Sequence, residues 1–146
     1  MSGLVFVDTN VLLYAQDPRE PQKARQAQTW LTWCWSEGQA RISTQVLNEL
    51  YVNLRRVAPA MNVDSARRLV RRYRSWRPWV VDDVTVDLAW DIQDRFGFDY
   101  RDCLMLAAAQ QQGCRYLLTE DLQHLQHVDS LQIADPFQWS PEEIQA

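Results

Sequence analysis

Apolar residues along the chain follow two spacings that alternate. "LVFVD" (4–8) is an unbroken apolar run closed by an acid, the pattern of a strand covered on both faces. Over 20–36 the spacing changes. Ala24, Ala27, Leu31 and Cys34 fall at i, i+3, i+7 and i+10, which predicts a helix. "ARIS" (40–43) predicts a short strand, and Val46, Leu47, Leu50, Leu54 and Val57 predict a helix over 44–57 that Pro59 stops. Asn62 or Asp64 can cap an arginine-rich helix reaching about Ser75, with Pro78 beyond it. "WVVDD" (79–83) predicts a strand, followed by a helix to about Phe96 with Gly97 as its C-terminal stop. The helical pattern over 100–112 ends at Gly113, and "RYLLT" (115–119) and "LQIA" (131–134) predict two more strands.

Strands that alternate with helices of this length predict parallel βαβ crossovers. The expected fold is α/β, a three-layer α/β/α sandwich with a central, mostly parallel sheet. In such sheets ligands bind beyond the carboxyl ends of the strands. That edge is where this chain puts acids. Asp8 ends the first strand, Asp121 follows "YLLTE", Glu49 lies in the first two turns of its helix, and Asp102 lies in the first turn of another. Each also has a local reading: Asp8 or Asp121 as a helix cap, Asp102 as a partner of the helix macrodipole, Glu49 as a surface residue. Taken together, they crowd several anions at one edge, where their charged forms need compensation. No Lys or His stands beside them in sequence, so a bound metal is the economical compensation. Hard oxygen donors suit Mg2+ or Mn2+, the usual equipment of phosphodiester chemistry.

Length and composition set further bounds. At 146 residues, 47% hydrophobic and 23% charged, the chain is expected to form a single domain over 1–146. No apolar run approaches a membrane span, and "MSGLVFVDTN" lacks the basic n-region of a secretory signal. Cys34, Cys103 and Cys114 are odd in number and form no CxxC, which suits reduced thiols in the cytoplasm, and neither His124 nor His127 lies near a cysteine pair that could complete a zinc site. The net charge of −4 argues against blanket attraction to nucleic acid, but its distribution is uneven. Residues 55–77 hold eight of the fifteen basic residues and one acid, Asp64, so this stretch is +7 and the remainder −11. Such a face could meet phosphates or an acidic partner, or simply be a solvated helix surface.

Four stretches, "FVDTNVLLYA" (6–15), "STQVLNEL" (43–50), "DYRDCLMLAAAQQQGC" (99–114) and "LLTEDL" (117–122), resemble in order and spacing the four blocks of PIN-domain ribonucleases. The bacterial VapC-type toxins of type II toxin–antitoxin pairs are the nearest in appearance. "TEDLQHLQHVDSLQIADPF" (119–137) resembles their C-terminal block. The resemblance implies a PIN-like fold and a Mg2+- or Mn2+-dependent endoribonuclease, in which metal-activated water leaves 5′-phosphate and 3′-hydroxyl ends. It further implies a homodimer and a small cognate antitoxin protein. The family's acids fall on Asp8, Glu49, Asp102 and Asp121, which would be catalytic and metal-binding. Asn10 would support the first aspartate, Thr119 would be the hydroxyl beside the fourth, and Asp99 would be auxiliary. Arg67, Arg68, Arg71, Arg72 and Arg74 would contact RNA or the antitoxin. Two positions depart from the family pattern: Arg101 stands where an aromatic is common, and Leu125 where a glycine is common. Both departures bear on substrate access or loop shape.

Two other functions fit parts of the sequence. A PIN-like module could bind RNA or protein without cutting. An aspartate-based phosphoryl-transfer protein would also place an acid after its first strand. However, position 10 is Asn where a phosphatase of that kind needs a second Asp, and the only lysine is Lys23. Trp30 and Trp33 lie off the helix stripe, which suits either a wide core face or a partner groove.

Overall fold

In the computed structural model, which describes residues 3–145, five short strands form one sheet in the order β2-β1-β3-β5-β4. These are β1 (Val5–Val7), β2 (Ala40–Arg41), β3 (Tyr116–Leu118), β4 (His127–Val128) and β5 (Leu131–Ala134). β1 pairs in parallel with β2 and β3, β3 pairs in parallel with β5, and only β4 runs antiparallel, against β5. Successive strand residues face opposite sides of a sheet. Val5, Phe6 and Val7, and likewise Tyr116, Leu117 and Leu118, are all buried, so both sheet faces are covered. Seven helices supply that cover: α1 (Thr9–Tyr14), α2 (Pro21–Glu37), α3 (Thr44–Val57), α4 (Val63–Arg72), α5 (Asp83–Phe96), α6 (Tyr100–Gln111) and α7 (Pro141–Gln145). The expected three-layer α/β arrangement is the observed one.

The helix ends follow local chemistry. Ser43 caps α3, Asn62 caps α4 by accepting from the Ser65 amide at 2.8 Å, and Gly97 closes α5 at φ 75°. The arginine-rich helix ends at Arg72 and tightens into a 3-10 turn over Tyr73–Trp76. Trp30 and Trp33 are core residues, 1% and 8% exposed, so the core reading of this pair holds. Cys34, Cys103 and Cys114 are free and buried. No helix among the described residues is long and apolar enough to cross a membrane.

The strand expected at "WVVDD" is absent. Trp79 makes a single parallel bridge to Ser43, donating its amide to the Ile42 carbonyl at 2.9 Å and accepting from Thr44 at 2.8 Å. Pairing stops there because Val80 is exposed, the Val81 amide turns to the Thr44 hydroxyl, and Asp82 caps α5 through Thr85. Three elements had no sequence expectation of their own: α1, which appeared only as the capping alternative for Asp8, and β4 and α7.

Leu125, where a glycine is common, has a left-handed backbone with φ 69°. That conformation strains the loop by about 1–2 kcal/mol for an L-residue. Its side chain is 41% exposed, so truncation sacrifices little burial. Leu125→Gly is expected to leave stability unchanged or raise it by up to about 1 kcal/mol, since relief of strain exceeds the entropy that glycine adds to the unfolded chain. Chemical denaturation reads the change, and a clear loss of stability would mean that Leu125 packs in a way its exposure does not suggest.

Candidate cation site at the carboxyl edge

The register of β1 and β3 builds the first half of the site. Val7 pairs with Leu118, so the next residues, Asp8 and Thr119, leave the sheet side by side. The Thr119 hydroxyl donates to Asp8 Oδ2 at 2.8 Å and accepts from the Asp121 amide at 3.1 Å. Asp8 is 1% exposed. It is also the N-cap of α1, with a long 3.4 Å contact from the Asn10 amide. Capping and site membership are therefore both true of Asp8, where the sequence posed them as alternatives.

The second half comes from α3 and α6. Glu49 Oε1 accepts from the Thr9 hydroxyl at 2.8 Å, and Glu49 Oε2 from Gln45 Nε2 at 3.1 Å. Gln45 lies one turn before Glu49 on the same helix face, the spacing at which side chains meet. Gln45 Nε2 also reaches the Arg101 carbonyl at 3.1 Å, which ties α3 to the first turn of α6.

Between the halves lies the guanidinium of Arg101. Its Nη2 is 2.9 Å from Asp8 Oδ1 and 2.8 Å from Glu49 Oε1, and its Nη1 is 3.2 Å from Asp102 Oδ1 and 3.7 Å from Asp121 Oδ2. Its Nε adds a bond to Glu49 Oε1 at 3.1 Å. One planar fork thus contacts all four acids. Burial works against the arginine's charge, but Asp8 and Glu49 more than offset it and hold its pKa above the usual value. Burial, then the charge of Asp8, raises the Asp102 pKa against the opposing pull of Arg101. Asp121 is pushed up to about 6 by burial and by the Asp8 and Asp102 charges. The cluster carries more negative charge than one arginine neutralises, and it can accept further positive charge.

A PIN-domain family model matches residues 5–131. The chain belongs to the PIN-domain family. No curated protein matches its sequence. Among solved structures, the fold is similar to that of VapC20 from Mycobacterium tuberculosis, a toxin that cleaves the sarcin–ricin loop, with a TM-score of 0.56 and 20% identity over 80% of this chain and 91% of that one.

All four acids expected from the PIN blocks meet at one place, but three supporting expectations change. The Asn10 side chain does not hold the first aspartate. Its Nδ2 donates to Asp121 Oδ2 at 3.1 Å, and only its backbone amide faces Asp8. Thr119 serves both aspartates, Asp8 by its proton and Asp121 by its lone pair. Asp99 is the exposed N-cap residue of α6 and makes no side-chain capping bond, so it stands outside the Arg101 network. Nearby Glu120 is engaged elsewhere, by Lys23 at 2.9 Å.

Sequence reasoning missed Thr9, Gln45 and the role of Arg101. No Lys or His stands beside the acids in sequence, but the arginine adjacent to Asp102 supplies a compensating charge. Four carboxylates are hard donors of the kind Mg2+ or Mn2+ takes, and the guanidinium at their centre is a stand-in cation. The donor set fits a divalent ion, but the present arrangement does not. Among the described residues, no three acidic, histidine or cysteine side chains are disposed to hold a metal while Arg101 lies between them.

Proposed function

We propose that this PIN domain is an endoribonuclease of the VapC type, the toxin of a type II toxin–antitoxin pair. The observation that carries this reading is the convergence of Asp8, Glu49, Asp102 and Asp121, from four separate segments, on one cation position at the carboxyl edge of the sheet. The fold likeness to a sarcin–ricin loop-cleaving toxin supports an RNA substrate. The four acids would hold Mg2+ or Mn2+. Such an ion supplies a nucleophilic water at neutral pH and offsets the charge that develops on the phosphate. The protein's own residues set the geometry. β1 and β3 fix Asp8 and Asp121, Thr119 and Asn10 orient them, and Thr9 and Gln45 orient Glu49. Asp99, at the rim, is assigned an auxiliary part. The protein would act in the cytoplasm as a homodimer restrained by a small antitoxin protein.

The test is cleavage of total RNA by the purified chain with Mn2+ or Mg2+, with EDTA as the control and mapping of the new ends. EDTA-reversible cuts leaving 5′-phosphate and 3′-hydroxyl support the reading. A PIN domain that binds without cutting is the second reading, favoured by the guanidinium at the centre of the acids, and it gains if no metal concentration yields cleavage.

RNA would enter along the arginine face. Among the described residues none of the eight arginines between 55 and 77 forms a salt bridge, and all eight are exposed. Arg67, Arg71 and Arg74 line a groove of about 390 Å³ with Leu47 and Tyr51 of α3, the helix that carries Glu49. Arg68 and Arg72 are exposed on the adjoining side of α4, Arg72 over the Trp35 ring at 5.7 Å, and Arg67 lies over the Tyr51 ring at 6.0 Å. Arg67→Ala with Arg71→Ala, in an inactive Asp8→Asn background, is expected to weaken single-stranded RNA binding. The double change should lower the log–log salt slope by about 0.7 per lost phosphate contact. An unchanged slope would mean that Arg67 and Arg71 do not contact the RNA phosphates.

A further inference from the structure

We propose that Arg101 is a tethered counter-cation: its guanidinium holds the cation position of the acidic site, and it must withdraw before a divalent ion binds there, so the two are mutually exclusive. This rests on the cation-site reading given above, but not on RNA being the substrate.

Four observations carry the proposal. First, Arg101 spans all four acids at 2.8–3.7 Å, and among the described residues no other Lys or Arg pairs with any of them. Second, a planar fork holds carboxylates apart around its edge, whereas a small ion draws its donors inward. No three ligating side chains are disposed for a metal with the guanidinium in place, as this difference requires. Third, Arg101 is the second residue of α6, and its side chain is 35% exposed, at the mouth of the site. It can leave by rotating its own side chain while the helix stays where Gln45 ties it. Fourth, Asp8 is buried, and without Arg101 its Oδ1 keeps only the long 3.4 Å amide contact from Asn10. An uncompensated buried carboxylate is costly, so without an ion the state in which the guanidinium has withdrawn is only a minor one. Its departure and the arrival of an ion are one exchange. The consequence is a metal threshold set by the protein itself: the apparent affinity for the ion is reduced by the fraction of molecules in which Arg101 has withdrawn.

Metal binding to the purified full chain, without RNA, tests this. Mn2+ is titrated by the electron paramagnetic resonance of the free ion into the wild type, Arg101→Ala, Arg101→Gln and Lys23→Gln. If Arg101 is in place nine-tenths of the time or more, both Arg101 variants bind Mn2+ about 10-fold tighter or better than wild type. Lys23→Gln removes a nearby positive charge that lies outside the network, and its affinity should change little. Sub-denaturing guanidinium, against matched sodium chloride, should compete with Mn2+ in Arg101→Ala and not in wild type. A readout in the wild type keeps the proposal testable if the variants do not fold. The 15Nε–H resonance of Arg101 should move toward that of a free arginine as Mg2+ is added. Equal or weaker Mn2+ binding by folded Arg101 variants, an equal gain in Lys23→Gln, an unmoved Arg101 resonance at saturating Mg2+, or no binding by any form would each overturn the proposal. If the exchange occurs but RNA is not cut, the nuclease reading fails and the exchange stands.

Discussion

Asp8→Asn is expected to lower RNA cleavage by more than about 100-fold, beyond the usual cost of losing a metal ligand's supporting partner, and to leave the chain folded. Both halves follow from where Asp8 sits. It is buried at the end of β1 and caps α1, and asparagine caps a helix as well as aspartate does. The substitution is nearly isosteric and relieves one like-charge repulsion in the cluster. Arg101 keeps Glu49, Asp102 and Asp121 as partners, so no cation is stranded. The expected stability change is within about 1–2 kcal/mol, the scale of one hydrogen bond to a charged group. What the substitution removes is charge from the carboxylate that lies deepest in the site. Cleavage of RNA with Mn2+ and a thermal melt on the same preparation read the two halves separately. Activity near wild type would remove Asp8 from the catalytic group, and lost activity with a collapsed melt would show a structural role only.

Trp30→Ala is expected to destabilise the fold by about 3–5 kcal/mol, with a fall in Tm on the order of 10 °C or more. Trp30 is 1% exposed, and its indole Nε1–H is shared between the carbonyls of Pro136 at 2.9 Å and Trp139 at 3.2 Å. It pins the segment after β5 onto α2. That segment supports the site. Asp135 donates its amide to His124 Nδ1 at 2.9 Å, and Trp139 packs edge-on against His124 at 5.2 Å, in the loop that follows Asp121. Loosening the segment should therefore reduce cleavage as well as stability. Trp30→Phe separates the contributions: it keeps most of the buried area and removes the shared donor, for about 1–3 kcal/mol. Equilibrium denaturation reads both variants. A cost under about 1 kcal/mol for the alanine would mean that the C-terminal segment is held by other contacts.

The acids were legible in the sequence because each is placed by local structure. Asp8 and Asp121 each follow an apolar strand, Glu49 lies within two turns of a capped helix start, and Asp102 in the first turn of another. Parallel pairing then forces strand ends to one edge. The expectation failed wherever a residue's role depended on a partner far along the chain. "WVVDD" has strand composition, yet the sheet offers it one bridge before Asp82 is taken up by α5. Asn10 is two residues from Asp8, but its amide group reaches Asp121 across 111 positions.

By itself the sequence determined the main alternation of strands and helices, though not α1, β4 or α7 and with one strand too many at "WVVDD", together with the parallel sheet and the edge at which four carboxylates gather, since apolar spacing and caps are short-range properties. Only the tertiary structure decided what compensates those carboxylates. Arg101 is next to Asp102 in the chain, but its contacts with Asp8 and Glu49 span 93 and 52 positions, and its guanidinium points where those separations close. Electrostatic compensation is a property of the assembled site, because a long side chain takes the direction in which the folded field is strongest.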